Sequence, residues 1–249
     1  MRARGSYTSF SISQMLSMLD KGIFPEALKR NSSSLGPVDQ KRLLEGRVLV
    51  LGCGGLGGYV IEILARTGVG GLMVADGDYF EESNLNRQLF CTHETLGLNK
   101  AEVAARRIKE VAPFCDITPI SSFLDKEELG SYLEGVDVVV DAIGGIDIKL
   151  DVICECRERG VGVVTGAVAG FEGLVSSITP FSRTPSNFFK GPTQEGAENV
   201  LGSPAPMVSL ISSIQCFEVI SYLCWGRFHL TDRVLYISLS DFTFDLLEL

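Results

Sequence analysis

The sequence predicts an α/β protein built on a doubly wound, mainly parallel sheet with antiparallel strands at its C-terminal end. Three observations carry this. Short apolar runs alternate with helix-length amphipathic segments over residues 47–165. A glycine-rich turn, Gly52-Cys53-Gly54-Gly55-Leu56-Gly57, directly follows the apolar run Val48-Leu49-Val50-Leu51. After Gly173 the strand-like segments lose their intervening helices, apart from one long helix, and read as an antiparallel end.

Residues 1–35 are serine-rich and weakly patterned, with short helices near 14–19 and 26–30, and form an N-terminal helical extension to a unit over 36–249. A helix over 37–45 opens with Pro37, whose missing N–H is harmless at the first helical position. The run 47–51 is short and apolar, as a strand buried on both faces requires. Gly52 then permits a tight turn, and Gly54 and Gly55 let backbone approach a phosphate with no Cβ between. Gly57 and Gly58 allow close packing of helix 56–67, which turns Val60, Ile61, Leu64 and Ala65 to the sheet. The free N–H groups and dipole of that helix favour an anion at its start. Strand 71–75 leads to Asp76, placed to bond ribose hydroxyls. Loop 77–99, helix 100–111, strand 116–121, helix 125–134, strand 136–140, helix 147–159 and strand 161–165 follow. The alternation is that of a Rossmann-like sheet. Segments 174–179, 233–239 and 242–247 read as the later strands. Between them lie helix 207–225 and a Gly/Pro/Ser/Asn-rich loop, 180–206, long enough to be a candidate mobile or partner-binding segment.

Composition narrows the classes. The 249 residues are 45% hydrophobic and bury a large core. The net charge of -9, without a basic stripe, argues against nucleic acid as main partner. Residues 1–20 lack the apolar segment of a signal peptide, and 207–225 is broken by Gln215, Glu218 and serines, so it reads as a core helix and not a membrane span. Seven scattered cysteines fit a reducing cytoplasm. No Cys-x-x-Cys pair occurs, so no zinc site is expected, and neither histidine has ligand or triad spacing.

The second telling segment is Ser83-Asn84-Leu85-Asn86-Arg87-Gln88, past Asp76-Gly77-Asp78. It puts an arginine and polar amides where the next loop passes the same pocket. With Gly97-Leu98-Asn99-Lys100 and Val138-Val139-Val140-Asp141, these motifs resemble the ThiF/MoeB/HesA family, bacterial relatives of ubiquitin-activating enzymes. The resemblance runs from about Arg30 to the end. It implies an adenylyltransferase that uses ATP to adenylate the C-terminal glycine of a small ubiquitin-like sulfur-carrier protein ending in Gly-Gly, with residues 36–249 as the adenylation domain.

The chemistry asks for cations and strict positioning, because a carboxylate must attack the α-phosphate and expel pyrophosphate. Arg87 offers a planar fork for phosphate oxygens, and Lys100 a compact charge. The resemblance makes both triphosphate residues. Ser83, Asn84 and Gln88 hold phosphate or ribose by neutral hydrogen bonds in this reading, and Asp78 and Asp141 complete the nucleotide set. Arg30 matches an arginine that reaches the neighbouring subunit's ATP site, implying a homodimer. Taken alone, Arg87 also suits a surface arginine paired with Glu81 or Glu82, Lys100 with Glu102 an ordinary helix start, and Arg30 a solvated arginine on a short helix.

The departures are specific. The family has Asp-x-x-Asp after the fourth strand, and its second acid engages Mg²⁺. Here Asp141 is followed by Ala142, Ile143 and Gly144. Asp147 or Asp78 is left to carry the metal, or the site is weakened. Loop 180–206 also lacks cysteine, so adenylation without an enzyme thioester is expected. Competing readings are an NAD-dependent oxidoreductase, a non-catalytic nucleotide-binding homologue and a tRNA dehydratase.

Overall fold

The structure is a computed structural model and describes residues 10–144, 147–183 and 200–249, without the side chain of Asp147. The expected loop 180–206 therefore lies largely outside the described residues. The chain runs α1 (Ile12–Asp20), α2 (Pro37–Glu45), β1 (Arg47–Leu51), α3 (Gly55–Thr67), β2 (Gly71–Ala75), α4 (Lys100–Val111) and β3 (Asp116–Ile120). It continues with α5 (Lys126–Tyr132), β4 (Val138–Asp141), α6 (Asp147–Glu158), β5 (Gly162–Ala169) and β6 (Glu172–Ile178). The last elements are α7 (Ala205–Trp225), β7 (Arg233–Ser238) and β8 (Thr243–Glu248).

The eight strands form one sheet in the order β3-β2-β1-β4-β5-β6-β7-β8. The first five are parallel, and β5 to β8 are antiparallel. Alternation along β1 builds both layers. Val48 and Val50 join the core of α3, α4 and α7. Leu49 and Leu51 join that of α5 and α6. The order reverses between β1 and β4, so a crevice opens past their C-terminal ends, where ligands of doubly wound sheets bind.

Helix α7 is long and apolar enough to cross a membrane by length and composition, with mean hydropathy 1.5, but it packs on α2, α3, β5 and β6. Ser212, Gln215, Glu218 and Ser221 of this helix are buried. Ser212 Oγ donates to Leu56 O at 3.0 Å, and Gln215 Nε2 donates to Asp141 O at 3.0 Å. One helix thus braces both walls of the crevice. Gln215 also explains why β5 outruns the strand expected to stop at residue 165. Gly166 reads as a breaker, yet a Cβ there would lie 2.8 Å from the Gln215 amide, so glycine is what lets strand and helix meet.

Candidate active site

The glycine loop is tightly constrained. Gly52 has φ +90°, and a Cβ there would lie 2.7 Å from Ala142 O. A Cβ on Gly57 would lie 1.7 Å from Gly52 O, so the first turn of α3 rests directly on the loop. Asp76 holds the loop from below. Its Oδ2 accepts the Cys53 N–H at 2.7 Å and its Oδ1 the Asp78 N–H at 2.9 Å. Asn99 caps α4, accepting from the Ala101 and Glu102 amides, and donates to the Asp76 and Asp78 carbonyls. The end of β2 and the start of α4 are therefore one unit.

A cavity of about 390 Å³ lies over these elements. Gly52, Gly54, Gly55, Asp76, Asp78, Arg87, Gln88, Lys100 and Gly144 all line it. Lys100 is buried, and its Nζ lies 2.5 Å from Asp78 Oδ2. Burial raises the Asp78 pKa, but the hydrogen bond from Lys100, the Tyr79 amide and the Lys100 charge outweigh it and hold the carboxyl below its ordinary value. Arg87 Nη1 donates to Ser83 O at 3.0 Å and Asn86 Oδ1 at 2.8 Å, which braces the guanidinium at the cavity. The Oε1 of buried Gln88 has no partner among the described residues. One end of the cavity is apolar, with Phe123, Leu124, Leu129 and Val152.

Other expected site residues are elsewhere. Ser83 and Asn84 do not line the cavity. Asn84 is buried, accepting the Glu81 N–H and donating to Ser83 Oγ, so this pair shapes the loop that presents Arg87. Gly57 packs and does not line. Arg30 is exposed, and its neighbour Asn31 donates to Thr67 O at the C-terminal end of α3. That is the length of a 13-residue helix from the glycine loop, or about 20 Å. Asp147 opens α6, and its side chain lies outside the described residues. Asp141 is fully buried and does not line the cavity, though its Oδ1 accepts the N–H of Ile143, which does, at 3.2 Å. Its Oδ2 accepts from Lys149 Nζ at 2.9 Å and Thr165 Oγ1 at 2.6 Å.

Lys149 was not foreseen. Its Nζ also donates to Gly166 O at 3.1 Å, tying β4, β5 and α6 beneath the cavity. A signal was present: Lys149 shares a helical face with Val152, Ile153 and Cys156, all buried.

No cysteine lines the cavity among the described residues. Burial, with the Asp76 charge behind it, pushes the Cys53 thiol well up. Burial likewise raises Cys216, and raises Cys224 to about 11. Among the described residues no group of three or more His, Cys, Asp or Glu side chains is placed to hold a metal.

Such a crevice, with a helix start and two cations around a constrained glycine loop, defines a nucleotide-binding α/β protein that takes a charged phosphate chain. The chain belongs to the ThiF family, whose model matches residues 28–249. It is 33% identical over 217 residues to the SAMP-activating enzyme E1 of Haloferax volcanii, covering 85% of this chain and 79% of that protein. It is 30% identical to the tRNA threonylcarbamoyladenosine dehydratase of Haemophilus influenzae, covering 69% and 73%. It is 32% identical to the molybdopterin-synthase adenylyltransferase of Escherichia coli K12, covering 74% and 75%. The fold matches the crystal structure of E. coli MccB with ATP at a TM-score of 0.78 and 19% identity, covering 90% of this chain and 71% of that one.

Proposed function

We propose that this protein is an adenylyltransferase that activates the C-terminal glycine carboxylate of a small ubiquitin-like sulfur-carrier protein with ATP. The observation that carries this is Arg87 and Lys100 lining one cavity with the glycine loop. A dinucleotide needs an anion cradle but not two cations at a reacting phosphate. In this reading the apolar end takes the purine, and Asp76 takes the ribose with the acceptor sites its two amide partners leave free. The Gly54–Gly55 amides and the start of α3 face the phosphates. Arg87 and Lys100 balance charge as the carboxylate attacks. The carrier's tail enters beside Gly166, Ala167 and Val168, and its body rests on the exposed Phe171 and Phe242 at the same end of the sheet. We place the reaction in the cytoplasm, in residues 36–249, with 1–35 as an extension.

Arg30 stands too far from its own glycine loop to serve it, so it belongs to the partner's site in a homodimer. Mixing inactive Arg30→Ala and Arg87→Ala chains then restores about a quarter of wild-type activity, since half the dimers are mixed and each has one intact site. A mixture as dead as its parts excludes the shared site.

The family's metal acid is Gly144 here, at the cavity wall. Among the described residues there is no multi-carboxylate cage, but Mg²⁺ is commonly held by one or two carboxylates and the substrate's own phosphates, which this donor set allows. When bound, the ion supplies neutralisation of phosphate charge. Gly144→Asp is expected to raise Mg²⁺-dependent turnover; unchanged turnover excludes a weakened metal site.

The function is tested by titrating the protein calorimetrically with ATP and with NAD, then assaying ATP–pyrophosphate exchange with a carrier ending in Gly-Gly and with tRNA. ATP binding with carrier-dependent exchange is expected. NAD binding alone, or exchange stimulated only by tRNA, overturns the proposal.

A further inference from the structure

We propose that Asp78 is a charge latch: it holds Lys100 until a nucleoside triphosphate binds, and it then exchanges Lys100 for a divalent cation. This rests on the nucleotide reading above and adds to it where the cation sits and what it releases. Among the described residues that line the cavity, the only acids are Asp76 and Asp78. Asp76 is 7% exposed, and both its oxygens hold the loop backbone. Moving it would dismantle the glycine turn. The Asp78 side chain is 51% exposed, so it alone of the two is open to a hydrated ion.

Lys100 has the complementary constraint. Its side chain is 7% exposed, and Asp78 is its one ion-pair partner among the described residues. A buried ammonium without a counter-charge is costly, so it does not leave Asp78 for water. Triphosphate oxygens are an adequate second partner, and moving to them frees the Asp78 carboxylate beside a polyanion. Like charges a few ångströms apart in a half-buried site repel strongly. A divalent cation between carboxylate and phosphate relieves this, and a magnesium ion takes its remaining ligands from water. An independent feature marks the spot as a ligand site. Gln88, 7% exposed, lines the same cavity with its Oε1 unpartnered among the described residues, and its amide lies 3.3 Å from where a Gly54 Cβ would stand. A buried acceptor left open beside the phosphate loop waits for a donor from the ligand or its hydration shell.

The latch makes an inverted prediction for Asp78→Asn. Without the competing carboxylate, Lys100 is free for phosphate. Calorimetry in chelator should therefore show ATP bound about tenfold more tightly than by wild type, while the tightening that Mg²⁺ gives wild type shrinks below about twofold. Asp78→Glu keeps the Mg²⁺ effect, and Asp147→Asn leaves it as in wild type. Electron paramagnetic resonance of Mn²⁺ with protein and ATP should show a ternary complex in wild type and lose it in Asp78→Asn. An unchanged Mg²⁺ effect in Asp78→Asn, weaker binding in chelator, or loss of the Mn²⁺ complex in Asp147→Asn instead overturns the latch and leaves the ATP reading standing. Failure of wild type to bind ATP at all overturns both, and is told apart by that arm alone.

Discussion

Arg87→Ala is expected to lower the rate of carrier adenylation by about 10²–10³-fold, the usual cost of removing one donor aimed at developing charge. The guanidinium is braced at one nitrogen by Ser83 O and Asn86 Oδ1, while Nε and Nη2 have no partner among the described residues. Those free donors are the ones a phosphate would meet. The residue is half-buried in a loop that Asn84 folds from within, so its loss should leave the fold intact by circular dichroism. Arg87→Lys should recover little, because a point charge does not reproduce a fork. Pyrophosphate exchange checks this; a loss smaller than about threefold would remove Arg87 from the reacting centre.

Lys149→Met should be the most destabilising single change beneath the site. It strands the Asp141 carboxylate, which is fully buried in a pair whose lysine side chain is 3% exposed. Breaking such a pair on one side typically costs about 3–5 kcal/mol, against a total stability of roughly 5–15 kcal/mol. Thr165→Val removes one hydrogen bond to the same oxygen and should cost about 1–3 kcal/mol. Urea midpoints at neutral pH measure both. A midpoint for Lys149→Met equal to wild type would mean that the pair does not hold β4, β5 and α6 together.

The fold was legible wherever the determinant is local. The continuous apolar run Val48–Leu51 and the proline opening α2 depend on neighbours a few residues away. At the candidate site, the sequence brought Arg87 and Lys100 to notice by residue type, and both line the cavity with the glycine loop. Less legible is where a polar residue also has partners within the fold. Asn84 looks like a ligand residue, but its amide is consumed by Glu81 and Ser83. Asp141 looks like a nucleotide acid, but its partners Lys149 and Thr165 arrive from later elements, and no local pattern names them. The extension of β5 past Gly166 depends on Gln215, which is 49 residues further on, 215 less 166.

The brace that α7 provides has a consequence for how the molecule is made. Its hydrogen bonds to Leu56 O and Asp141 O span 156 and 74 residues of chain. The first five strands resemble a self-sufficient nucleotide module, yet their crevice lacks this strut until the ribosome has extruded α7. Contacts of such long range form late and slowly. The nascent chain thus passes through a stage in which the sheet is largely assembled but the crevice is not yet fixed. A chain released before α7 that still retained nucleotide would contradict this order of assembly.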